Sequence, residues 1–97
     1  AVIMKPVPAP KAYALHQNYP NPFNPTTTIQ FDLPHAAKVE LKIYNILGQE
    51  VATLANDFFP AGTHRVSWNA VSLPSGIYIY RLKAGDFIEA KKMVLLR

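Results

Sequence analysis

The 97-residue chain contains no cysteine. Disulfides, thiolate zinc sites, iron–sulfur clusters and cysteine nucleophiles are therefore excluded. It also lacks any apolar run approaching the roughly 18–20 residues that a membrane helix needs, so no membrane-spanning segment is expected. No stretch of ten or more residues sustains a helical period of 3.6. Charge is sparse too: charged residues make up 16% of the chain and hydrophobic ones 49%, which is too apolar for a disordered tail. Only four glycines occur, and none forms a phosphate-cradling loop. The segment Ala1–Pro10 has no basic start followed by an apolar run, so it is not a secretory signal. With no leading methionine, the chain is expected to be a piece of a longer protein whose own N-terminus carried any signal.

Proline, by contrast, is abundant at nine residues, and its placement is informative. Pro6, Pro8 and Pro10 alternate with small residues, so residues 1–12 read as an extended Pro-rich linker. Three more prolines fall in Tyr19-Pro20-Asn21-Pro22-Phe23-Asn24-Pro25. Fixed φ angles and missing donors exclude a central strand there. Asn side chains can satisfy local backbone groups, and Tyr19 and Phe23 are expected to plug a rigid loop onto the end of the domain. This is either a structural corner or a docking surface.

The rest of the chain, residues 13–97, reads as strand after short strand. Tyr13–Gln17 is a candidate first strand. Thr26–Leu33 alternates, with Ile29, Phe31 and Leu33 on one face; Ala37–Ile43 repeats the pattern with Val39, Leu41 and Ile43. Gly48 supplies a positive φ for the turn that follows. Val51–Leu54 begins another strand, but its apolar residues lie three apart, which calls for a bulge or a short helical turn. Thr63–Asn69, Ile77–Ala84 and Phe87–Leu96 complete the series, separated by Pro- and Gly-containing turns. Regular short strands punctuated in this way predict an all-β antiparallel sandwich.

Nothing in the sequence points to catalysis. Asp32, Glu40, Glu50, Asp57, Asp86 and Glu89 fall on outward positions or in turns, without a tight pair. His16, His35 and His64 have no short-spaced partner, so neither metal nor other cofactor is expected. No serine sits in a nucleophile elbow. Trp68 is in phase with His64 and Val66 on the inner face, and Tyr78 and Tyr80 are expected half-buried with hydroxyls on backbone partners. Tyr44 is the best candidate for an exposed, sugar-stacking ring. Charge gathers late: Arg81, Lys83, Lys91, Lys92 and Arg97 stand against Asp86 and Glu89 in the last 17 residues. That is too thin a stripe to predict nucleic-acid binding, and a solvated terminal strand accounts for it.

Several motifs in order give the chain a family resemblance from about Tyr13 to Arg97. They are Gln17-Asn18-Tyr19-Pro20-Asn21-Pro22-Phe23-Asn24-Pro25, Ile43-Tyr44-Asn45 with Gly48-Gln49-Glu50-Val51, Ala61-Gly62 before Val66-Ser67-Trp68, Ser75-Gly76-Ile77-Tyr78, and Lys91-Lys92-Met93-Val94. In this the chain resembles the C-terminal sorting domain of type IX secretion cargo proteins of Bacteroidetes-like bacteria. The resemblance implies an immunoglobulin-like sandwich of about seven strands acting as an address label. It implies an upstream cargo in the same polypeptide, recognition by the outer-membrane translocon, and cleavage by a sortase-like peptidase in the linker. The cargo would pass the periplasm and end at the cell surface or outside the cell. By correspondence, the export-linked residues are Gly76, Ile77 and Tyr78 together with Lys91, Lys92, Met93 and Val94. The flagellar hook-capping protein carries a related module. An assembly role of that type, or a spacer or carbohydrate-binding accessory to a secreted hydrolase, are the alternative readings.

Overall fold

The computed structural model describes residues 8–97. Among these residues, seven strands form two antiparallel sheets. The three-stranded sheet has the order β1-β2-β5, built from β1 (Ala14–Leu15), β2 (Thr26–Leu33) and β5 (Gly62–Asn69). The four-stranded sheet has the order β4-β3-β6-β7, from β4 (Glu50–Phe59), β3 (Ala37–Tyr44), β6 (Gly76–Ala84) and β7 (Phe87–Leu95). This is the sandwich that strand alternation predicts. The division of strands one, two and five from three, six and seven is the immunoglobulin-like arrangement, with the fourth strand joined to the third.

Alternation works because each strand buries one face. Ile29, Phe31 and Leu33 of β2 face Val39, Leu41 and Ile43 of β3 across the sandwich, and all six are fully buried. Tyr80, Leu82, Met93 and Leu95 extend this core. Tyr78 and Tyr80 lie deeper than the expected half-burial, but their hydroxyls do reach backbone partners: Tyr78 donates to Pro74 O (2.8 Å) and Tyr80 to His16 O (2.7 Å). Trp68 is buried edge-on to Tyr78.

The break in alternation along β4 has a definite cause. Leu41 opposes Ala55 while Lys42 opposes Thr53, and Ile43 opposes Ala52 while Tyr44 opposes Glu50. Leu54 and Val51 are therefore the extra residues of two β-bulges, not part of a helical turn. Each bulge resets the side-chain period, and the strand that begins with Val51–Leu54 in the sequence reading spans Glu50–Phe59. At the other end of the chain, β1 is shorter than expected, covering Ala14–Leu15. Tyr13 stacks on Phe87 at 5.2 Å between ring centroids. Of the linker expected over residues 1–12, residues 1–7 lie outside the described residues, and Pro8–Pro10 carry no regular secondary structure.

Candidate functional site

Two landmark regions stand out, and they differ in kind. The first is the proline corner, Gln17–Pro25. Phe23 is 2% exposed and packs against Trp68, with centroids 5.8 Å apart. Tyr19 does the opposite of plugging the sandwich: its ring is 80% exposed. Its backbone explains why. Tyr19 N–H donates to Thr28 O and Thr28 N–H donates to Tyr19 O, both at 2.9 Å. That bridge fixes the chain beside β2 and aims the ring at solvent.

Beneath the corner, polar groups are fully matched. Asn18 and Thr27 are buried; Asn18 Nδ2 donates to Thr27 Oγ1 (3.0 Å) and Pro20 O (3.2 Å), and Thr27 Oγ1 donates to Pro20 O (2.9 Å). Asn18 N–H donates to the Tyr80 hydroxyl (2.9 Å), so a tyrosine on β6 ties the corner to the far sheet. Burial pushes the Tyr80 phenol up to about 12.

The corner also covers the outer edge of β7. Phe23 N–H donates to Val94 O (2.9 Å), Leu96 N–H to Phe23 O (3.0 Å), Val94 N–H to Asn21 Oδ1 (2.9 Å) and Gln17 Nε2 to Lys92 O (2.7 Å). An uncovered edge strand is a template for pairing with another chain. Here the half of β7 that carries Lys92, Met93 and Val94 already has its partners.

Register sets the predicted export residues side by side, Ile77 opposite Val94 and Tyr78 opposite Met93, but strand alternation divides them between two faces. Lys91 and Lys92 alternate across β7, so they point to opposite faces. Lys92 lies opposite Ile79 on the solvent face of the sheet. Met93 is fully buried, and Glu89 is turned inward, not outward, accepting a bond from Leu15 N–H (3.3 Å). Gly76, Ile77 and Tyr78 sit at the start of β6, far along the sheet from the β6–β7 turn.

The second region forms around those three residues. The β3–β4 turn and the segment leading into β6 together enclose an open apolar groove of about 360 Å³. Ile46, Leu47, Val51, Leu73, Pro74 and Ile77 supply its apolar walls, with Asn45, Ser75, Gly76 and Tyr78 completing the lining. Ile46 and Leu47 are 72% and 77% exposed. They are not there through slackness of the turn. Asn45 Oδ1 accepts from the N–H groups of Leu47 and Gln49 (both 3.0 Å), Asn45 Nδ2 donates to Gln49 Oε1 (2.8 Å), and Gly48 takes a φ of 80°. This is an Asx-type turn with glycine in the left-handed region.

The opposite wall is held by a residue that composition alone does not single out. The Arg97 guanidinium donates through Nη1 to the carbonyls of Ala70 (3.4 Å), Val71 and Leu73 (2.7 Å), and Arg97 N–H donates to Ser75 Oγ (2.9 Å). An arginine fork suits several carbonyl acceptors at once. Its partners lie more than twenty residues away in the chain, which is why no local pattern reveals the clamp.

The remaining candidate groups stay dispersed. Among the described residues no three of His, Asp and Glu come close enough to hold a metal ion. His16 Nε2 meets Asp32 Oδ2 at 2.9 Å, and Thr63 Oγ1 donates to Asp32 Oδ1 at the same distance. Partial burial raises the Asp32 carboxyl, but the bonds from His16 and Thr63 and the charge of His16 outweigh it and leave it lowered. Tyr44 is half-buried, with the Arg81 guanidinium over its ring at 5.3 Å. The described residues contain no helix long and apolar enough to cross a membrane.

No curated protein matches the chain. The secretion system C-terminal sorting domain family matches residues 17–96. That span starts at the proline corner, takes in both walls of the groove, and ends beside Arg97. The chain therefore belongs to the secretion system C-terminal sorting domains, the modules that direct cargo proteins into type IX secretion toward the cell surface or extracellular space.

Proposed function

We propose that the export machinery recognises this domain in its folded form, through the apolar groove between the β3–β4 turn and the start of β6. One observation carries the reading. Asn45–Leu47 and Leu73–Tyr78, distant in sequence, line one groove and hold large aliphatic side chains out to water on rigid supports. Burying such side chains against a partner is worth about 1.5–3 kcal/mol each when complete, a gain the isolated domain forgoes. The occupant is an apolar element of the outer-membrane translocon. Ile77 is the central contact, Gly76 and Tyr78 shape the wall, and Lys92 lies on the adjoining solvent face. Met93 acts by holding the fold, and Val94 lies beside Ile77 on the neighbouring strand. Residues 13–97 form the sorting module, and residues 1–12 form the linker in which a sortase-like peptidase cuts after transfer, leaving the cargo anchored or released.

Residues 1–97 fused to a periplasm-directed reporter, in a host with type IX secretion, provide the test. Leu47→Asp combined with Ile77→Asp should leave the reporter in the periplasm. Wild-type levels of export for that folded variant would overturn the groove assignment. Point variants are the right tool. Removing residues 76–97 would delete β6 and β7 and with them half of the four-stranded sheet.

A further inference from the structure

The solvent face of the four-stranded sheet has a chemistry that the groove does not use. Register places Lys42 directly opposite Arg81 and Glu40 opposite Lys83 on neighbouring strands β3 and β6. Lys38 belongs to the same face of β3, and Lys92 to the same face of β7 opposite Ile79. Glu50 joins from β4, where it pairs with Lys42 at 3.1 Å. Five cations thus share one face with two carboxylates. That accounts for three of the four net positive charges on the whole chain. Two of the cations are oriented by aromatic rings: Arg81 lies over Tyr44 at 5.3 Å and Lys38 over the exposed Phe58 at 6.0 Å. Cation–π contacts of this kind hold a charge in place without neutralising it.

We infer that this face docks a carboxylate-rich protein surface by charge complementarity. A polypeptide is favoured over an anionic membrane because Glu40 sits amid the cations, opposite Lys83 and on the same strand face as Lys38 and Lys42. A uniform layer of phosphates would meet that carboxylate head-on. A folded surface can set a cation against it and acids around it. Four strands about 4.8 Å apart give a face roughly 15 Å wide and 25 Å long. That is well under the about 800 Å² per partner of a stable complex, so the contact is a transient one that steers and orients. The inference rests on the sorting reading only for the owner of the acidic surface, which would be a component of the export machinery.

The test compares two variants of equal net charge. Lys38→Gln, Arg81→Gln and Lys83→Gln together remove three charges from the basic face. Arg65→Glu with Ser67→Glu removes three from the solvent face of the three-stranded sheet. In the reporter fusion, the basic-face variant should slow the initial rate of export about tenfold, within the range electrostatic steering produces. The control variant should stay within about twofold of wild type. Equal rates for the two variants would overturn the inference. Wild-type export in the same host reports on the sorting reading separately. In vitro, wild type should bind immobilised poly-L-glutamate and elute as salt is raised, the basic-face variant should flow through, and the control should behave as wild type. Flotation of the wild type with phosphatidylglycerol vesicles, matched by failure on poly-L-glutamate, would overturn it in favour of a lipid surface. Thermal melts of both variants within a few degrees of wild type establish that the fold is retained.

Discussion

The proline corner and the apolar groove are both built from family landmarks, yet they handle their side chains in opposite ways. In the corner, Phe23 is buried, Asn18 and Thr27 are buried with their hydrogen bonds made, and the backbone closes the edge of β7. In the groove, equally firm backbone support presents Ile46, Leu47 and Ile77 to water. A recurring motif can therefore mark either a place where the fold is closed or a place where it is held open. The hydrogen-bond partners of its backbone do not distinguish the two; the destination of its large side chains does. The corner should answer to stability measurements, and the groove to export measurements with stability unchanged.

The sharpest way to break this contrast is Phe23→Ala. Deleting a fully buried aromatic typically costs about 3–5 kcal/mol. Here the loss removes the packing against Trp68 while the backbone still has to bridge β7. Denaturant unfolding of the variant should show a loss of unfolding free energy of that size. A loss under about 1 kcal/mol would mean that the corner is an attachment and not part of the core.

Next in size is Tyr80→Phe. It leaves Asn18 N–H without its acceptor and His16 O without its donor, at a cost of about 1–3 kcal/mol. The same hydroxyl gives the corner an alkaline signature. Its pKa is raised from 10.0 to about 12 in the folded protein, so above pH 10 the unfolded chain releases this proton and the folded one keeps it. The stabilisation due to Tyr80 is complete below pH 10 and is lost as pH climbs toward 12. Wild type and Tyr80→Phe should therefore converge in stability over that interval. A constant gap between their unfolding curves from pH 9 to pH 11.5 would contradict the assignment.

The amino-acid sequence made the strands legible wherever one face was continuously buried. Thr26–Leu33 keeps its alternation from end to end, and the observed β2 has those bounds. His64, Val66 and Trp68 were likewise readable as one face, as was the turn at Gly48. Legibility fails where a local period is reset or a long-range partner decides. The bulges at Val51 and Leu54 hide the second half of β4. Tyr19 looks like a plug in sequence, and only its pairing with Thr28 turns it outward. Lys91 and Lys92 read as one basic pair until strand alternation separates them. The groove itself depends on β3 pairing with β6, strands that are not neighbours in the chain, and on Arg97 reaching back to residues 70–73. No local motif encodes such a meeting.

The smallest stability effect belongs to the groove, and it is the most informative. Leu47 is already exposed, so Leu47→Asp removes little packing, and surface substitutions of this type fall within about 0.5 kcal/mol. Asn45 and Gly48, which set the turn, are untouched by the change. Equilibrium unfolding of Leu47→Asp should therefore overlay that of wild type while export of the fused reporter falls severalfold. Asn45→Ala makes the complementary perturbation: it keeps both aliphatic side chains but removes the acceptor for the Leu47 and Gln49 N–H groups. If recognition reads side chains on a rigid support, both variants lose export, and only Asn45→Ala loses about 1 kcal/mol of stability as well. Full export of Asn45→Ala would show that the apolar side chains suffice without the fixed turn. Full export of Leu47→Asp would show that their exposure serves no recognition, and the corner and the groove would then differ in packing alone.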